Sequence, residues 1–233
     1  MMSLNRKTAV AVLAAVVLNS VLSAVPAYAD TAMAVAIRGG TLGFGPEFDW
    51  SLSDSFAVRL GYDAFSRHQT TTDTGATYDG SLKLANGSAL VDWSPGGKFF
   101  HVTAGAVATS TKIDVTGVPV NGSITLGNTS YPSSSISSVT GTVKMGRSLA
   151  PYVGLGFGNP VGAGSHLTFL FDLGAVITGT PDASLSVVCA AATSAAACAQ
   201  IQQSATTEVN KLKDDTTNFK LWPVLNLGLS YRF

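Results

Sequence analysis

Residues 220–233 read K-L-W-P-V-L-N-L-G-L-S-Y-R-F, and this stretch decides how the rest of the chain is read. Leu221, Pro223, Leu225, Leu227, Leu229, Tyr231 and Phe233 fall on one parity. Lys220, Trp222, Val224, Asn226, Gly228, Ser230 and Arg232 fall on the other. A strand sends successive side chains to opposite faces, so one face here is continuously apolar and the other small and mixed. The segment is long enough to cross a bilayer, because a tilted membrane strand needs roughly 9–11 residues.

The same alternation recurs toward the N-terminus. Residues 167–177 place Leu167, Phe169, Phe171, Leu173, Ala175 and Ile177 on one side, with Asp172 and Gly174 on the other. Further strands are predicted over 33–39, 44–52, 56–67, 77–93, 99–112 and 142–157. Pro46 removes a ladder donor and predicts a bulge in the second strand, and Asn86-Gly87 predicts a register shift in the fourth. Residues 114–139 and 181–218 read as long loops, the second containing a helix over 194–213 with Ile201, Ala205, Val209 and Leu212 on one face. The fold class that follows is all-β: an eight-stranded antiparallel up-and-down transmembrane β-barrel with a helix-containing outer loop. A ten-stranded barrel using 115–140 as a further hairpin stays open, and a secreted β-sandwich is the competing architecture.

The N-terminus has the pattern of an export signal. Arg6 and Lys7 precede an apolar run from Ala9 to Leu18, and Ala27-Tyr28-Ala29 supplies a small-x-small cleavage site. The expected organisation is a signal peptide over 1–29 and a barrel over 30–233. An anchor helix is disfavoured because Asn19 and Ser20 break the run. The 233-residue chain has formal net charge 0, so it carries no basic footprint for nucleic acid.

The leader, the alternation, short turns alternating with longer loops, the segment F-A-V-R-L-G-Y at Phe56 to Tyr62 and the ending L-G-L-S-Y-R-F together carry a family resemblance. The chain resembles the small outer-membrane barrels that include the OmpA barrel, OmpX and OmpW. The resemblance implies localisation in a Gram-negative outer membrane, with outer-membrane lipid and lipopolysaccharide around it and the barrel-assembly machinery as a partner in biogenesis. It also implies that Leu229, Tyr231 and Phe233 form a C-terminal sorting signal.

With the apolar parity given to lipid, the opposite parity collects charge. Arg38, Arg59 and Lys83 against Glu47, Asp49, Asp63, Asp79 and Asp172 are the candidate interior polar network. Eight strands enclose only enough room for side chains, so these groups are expected to pair; a narrow conduit is the sharper alternative. His68, His101 and His166 supply neither a catalytic nor a metal-ligating spacing, and no cofactor motif is present. Cys189 and Cys198, the two cysteines, are expected to form a disulfide in an oxidising compartment. Residues 194–213 are expected either as a helix across the barrel mouth, with Ile201, Val209 and Leu212 inward, or as a flexible Ala-rich surface loop. The function expected is non-enzymatic: a structural or surface-interaction role through the outer loops, with passive transport of small or hydrophobic solutes as the alternative.

Overall fold

The computed structural model describes residues 32–73, 76–97, 99–162, 166–216 and 220–233. The expected leader lies outside them. The strands are β1 (Met33–Gly40), β2 (Gly43–Ser53), β3 (Phe56–Asp73), β4 (Ala76–Trp93), β5 (Phe100–Thr109), β6 (Lys112–Pro119), β7 (Ser123–Leu126), β8 (Thr129–Pro132), β9 (Ile136–Lys144), β10 (Leu149–Phe157), β11 (Leu167–Ile177), β12 (Asp182–Cys189) and β13 (Leu221–Arg232). One helix, α1, spans Ala195–Thr216.

Eight of these strands close into a cylinder in the order β1-β2-β3-β4-β5-β10-β11-β13, with β13 returning to pair with β1. Every pairing is antiparallel, so the two ends of the described chain emerge on the same rim. That rim carries the short β2–β3 and β4–β5 turns and is the inner end of the cylinder. The tight reversal after β1 needs Gly43, whose φ of +124° is strained for residues with a Cβ. The bulge expected at Pro46 lies instead at Ser51–Ser53, beside the turn. Pairing of β3 with β4 runs without a shift through Asn86 and Gly87, correcting the expected break there.

The long segments between barrel strands are not irregular loops. At the outer end β4 exchanges one partner for another: residues 86–93 pair with β5, and residues 76–83 pair with β6. β6 then pairs with β9, and β9 with β12. β6 therefore continues the line of β5, β9 that of β10, and β12 that of β11. Five of the eight walls rise beyond the cylinder as one sheet, whereas β13, β1 and β2 stop. The 115–140 segment is thus a hairpin of this outer wall and does not add strands to the barrel.

Helix α1 packs on β12 and β7. Ser194 caps it, its Oγ accepting from the Ala197 N–H at 3.3 Å. Ile201 and Ala205 are buried against Leu126, Ile136 and Val187, forming a small apolar core on the wall. Leu212, expected on the buried face, is exposed. The Cys189–Cys198 disulfide joins the end of β12 to the first turn of the helix, with Cα atoms 5.9 Å apart. Its ring is short, so it shapes this corner more than it restricts the unfolded barrel. Among the described residues no helix is long and apolar enough to cross a membrane.

Around the cylinder the outward side chains are apolar: Val35, Ile37, Leu60, Val153, Leu155, Leu173, Leu225, Leu227 and Leu229 all stand exposed. Trp50, Phe56, Trp93, Phe100, Phe157 and Tyr231 form an aromatic girdle near the inner end. A continuous apolar belt of this kind far exceeds what a protein surrounded by water displays, and it matches the lipid-facing band of a membrane barrel. Leu227 lies halfway along β13, paired with Gly39 and Phe171. Leu227→Arg is expected to lower the stability of the lipid-folded protein by about 2–4 kcal/mol. Denaturant unfolding from phosphatidylcholine vesicles measures this, and an unchanged midpoint would contradict the outward assignment.

Candidate functional site in the barrel interior

The lumen is organised by the inward residues of six strands. Arg59 of β3 is almost fully buried. Its Nε lies 3.0 Å from Asp92 Oδ2 of β4, and its Nη1 lies 3.2 Å from Asp172 Oδ1 of β11 and 3.8 Å from Glu47 Oε1 of β2. Its Nη2 donates to Thr103 Oγ1 of β5 at 3.3 Å, and Thr103 in turn donates to Asp92 Oδ1 at 2.7 Å. Arg38 of β1 pairs through Nε with Glu47 Oε1 at 2.6 Å and through Nη1 with Asp172 Oδ2. His101 completes the cluster. Its Nε2 is 3.0 Å from Asp172 Oδ1, and its Nδ1 is 3.0 Å from the Gly158 carbonyl. Gly156 leaves the room this needs, since a Cβ there would collide with His101 Nε2 and Asp172 Oδ1.

The cluster is sealed on both sides. Toward the outer end the reversal after β1 folds Leu42 into the lumen, where it meets Leu90, Val107, Tyr152, Val176 and Val224. Asn86 holds the turn in place by donating to the Leu42 carbonyl at 2.6 Å. Trp222 packs against this plug. Toward the inner end Ala34, Ala57 and Val161 close the lumen. Between the seals a cavity of only about 20 Å³ remains, lined by Arg38, Glu47, Asp63 and Tyr152. Below the inner seal lies a polar basin of about 690 Å³, lined by Ser51, Ser53, Asp54, Ser94, Asn159 and Arg232.

The expected network therefore divides. Arg38, Glu47, Arg59 and Asp172 meet as ion pairs. Asp49 is wholly buried in the lumen, with its carboxyl beside that of Glu47. Asp63 is half-buried beside the small cavity. Asp79 and Lys83 are elsewhere. Both belong to the outward parity of β4, whose inward parity carries Leu84, Asn86, Leu90 and Asp92. The sequence pattern gives Leu82 and Leu84 to lipid, but this part of β4 stands at the mouth, where the apolar face turns inward. Asp79 pairs instead with the exposed His68, Oδ2 to Nε2 at 3.2 Å.

The sequence reading misses Asp92, His101 and Thr103 as members of the cluster. For His101 and Thr103 the signal is present, because both sit opposite Phe100 and Val102 on a strand whose apolar parity is correctly given to lipid. His166 is separate from His101. It stacks on Tyr231 at the inner rim, ring centroids 6.0 Å apart, and its Nδ1 lies 2.9 Å from the Arg232 carbonyl.

No protein-family model matches the sequence. Comparison with the curated proteins also finds no match. Among solved structures, CarO2 of Acinetobacter baumannii superposes with a TM-score of 0.56 at 19% identity, covering 87% of this chain and 98% of that one. CarO of the same organism gives 0.53 at 21%, covering 86% and 97%. The chain has the fold of an outer-membrane β-barrel protein. A major outer membrane protein of Thermus thermophilus is a more distant neighbour, with a TM-score of 0.39 at 16% identity, covering 88% and 100%. At these identities the likeness is one of fold, and activity does not transfer with it.

Removing one partner from a buried ion cluster leaves uncompensated charge, which typically costs about 3–5 kcal/mol. Asp172 is the acceptor shared by Arg38, Arg59 and His101. Asp172→Ala is therefore expected to lower the unfolding free energy of the lipid-folded protein by that amount. A change under about 1 kcal/mol, measured by reversible denaturant titration, would show that the cluster is not a structural centre.

Proposed function

We propose that this chain is a non-enzymatic outer-membrane barrel whose role is structural or adhesive, exercised through the wall and helix it presents at the outer end. The filled cross-section carries this reading: among the described residues, an ion cluster held between two apolar seals occupies the lumen. The elaborated part of the molecule is outside the cylinder, where β6, β7, β8, β9, β12 and α1 form a platform with its own core. Tyr131 Oη lies 2.8 Å from Ser204 Oγ, and Glu208 Oε2 accepts from the Gly127 N–H at 3.0 Å. These bonds fix the small hairpin to the helix, giving a surface of defined shape. Such a surface suits recognition better than a flexible loop, because less ordering is needed on binding.

A second reading, passive transport of small solutes, is favoured by the polar basin of about 690 Å³ below the inner seal. Movement of Leu42 and its turn would be required to join it to the exterior. Planar-bilayer recording separates the two. The first reading predicts no reproducible steps from the intact protein; steps that change on Arg59 or Asp63 substitution would establish the second. Because the cylinder closes without β12 or α1, deletion of residues 182–215 is expected to leave a barrel that still shows a heat-dependent gel shift. Loss of that shift would contradict a platform built separately on a self-sufficient barrel.

A further inference from the structure

The outward face at the base of the outer wall carries a row of lysines. Lys83 of β4 is the direct cross-strand partner of Lys112 of β6, and Lys112 is the direct partner of Lys144 of β9. Residues opposed in this way share a face, with Cβ atoms about 4.5–5.5 Å apart. Like charges in that position repel, and the two neighbouring carboxylates, Asp114 and Asp182, offset only part of the charge of the three lysines.

The height of the row is informative. Along β4, Trp93 belongs to the inner aromatic girdle, and Lys83 lies ten residues further up on the same outward parity. At about 3.3 Å per residue and a tilt of about 40°, that step rises about 25 Å, the height of the apolar band of a membrane barrel. Between them the outward residues are Ala85, Gly87, Ala89 and Val91. The lysines therefore stand where the hydrocarbon ends and the headgroups of the outer leaflet begin.

The acidic groups around the row are already engaged. Asp114, on the same face, lies 2.8 Å from Lys112 Nζ and accepts from Thr142 Oγ1 at 2.6 Å. Its carboxyl is held below the usual value, first by the Lys112 bond and then by the Thr142 bond. Asp182, opposite Lys144, is 3.4 Å from Lys213 of the helix. Lys83 and Lys144 are exposed and form no ion pair among the described residues. Ser66, the cross-strand neighbour of Lys83, adds a hydroxyl donor at the end of the row.

We propose that Lys83, Lys112 and Lys144 bind the phosphates of a phosphorylated glycolipid headgroup in the outer leaflet. The proposal rests on the outer-membrane reading of the chain. Its chemistry is that of clustered ammonium groups on an anionic headgroup, with the lipid's acyl chains lying along the apolar belt below.

Native mass spectrometry of the detergent-folded full chain tests it, with rough lipopolysaccharide as the probe. Wild-type protein is expected to retain a lipopolysaccharide adduct. The K83Q/K112Q/K144Q variant is expected to bind about a hundredfold more weakly, from about a fivefold loss per lysine. The K83R/K112R/K144R variant is expected to retain binding, and dephosphorylated lipopolysaccharide to bind the wild type as weakly as the intact probe binds the glutamine variant. Equal binding by the wild-type and glutamine proteins, or by the intact and dephosphorylated probes, overturns the proposal. Displacement of the adduct by equimolar inorganic pyrophosphate also overturns it, since the row would then serve a soluble anion. A wild-type protein with no heat-dependent gel shift in detergent would instead refute the membrane reading itself.

Discussion

The guanidinium of Arg59, buried at membrane depth, is the constraint around which the cylinder is arranged. A charge there is tolerated only if neighbours replace its water. The neighbours come from β2, β4, β5 and β11, and Arg38 and His101 extend the set to β1 and the turn after β10. Six walls are thus tied through the lumen, in addition to the backbone ladder around the circumference. Small residues provide the room: Gly156 for His101, and Gly154 with Gly174 for the phenol of Tyr152. The belt and the cluster are complementary demands on one sequence, because period-two alternation delivers oil to one face and charge to the other in the same stroke.

The second consequence is asymmetry at the outer end. Where a strand line breaks, over 110–111, over 145–148 and over 178–181, the wall continues upward rather than turning back. Backbone bonds carry the sheet across the breaks: Ser110 N donates to the Ala85 carbonyl and Thr109 N to the Ser148 carbonyl, each at 2.8 Å. The three low walls leave one side of the mouth open, while Leu42 stoppers the lumen beneath it. A pocket of about 290 Å³ sits at this step, lined by Ile113, Val143, Met145, Leu221, Trp222 and Pro223. The closed barrel is thus the base on which β6, β9 and β12 are built.

The barrel itself is legible in the sequence because its signal is periodic. The outward parity of β11 and β13 is apolar without exception, and the eight walls follow from such runs. The outer wall is not legible. Residues 114–139 are rich in Ser, Thr and Gly, and strands such as β6 and β9, part-exposed on both faces, lack the one-sided apolar alternation that marks a strand. Lys83 and Asp79 are misplaced for a related reason. Above the membrane the apolar side of β4 faces the mouth, so giving its apolar parity to lipid inverts the strand and hides Asp92. Alternation reports which side a residue takes, and height decides what lies on that side. Within the site, Arg38, Glu47, Arg59 and Asp172 can be named from the sequence, but their mutual contacts depend on strand stagger, which alternation does not encode.

The ionised groups of the lumen lie between two apolar seals that hold water off them. Hydrogen exchange of arginine Nε–H, followed by NMR on the protein folded in detergent micelles, measures how well they do so. The Arg59 Nε–H, pointed at Asp92 and enclosed between the Leu42 plug and the Ala34 seal, is expected to exchange orders of magnitude more slowly than that of the exposed Arg147. Exchange of Arg59 at the rate of Arg147 would mean that water reaches the cluster freely and that the lumen is a conduit.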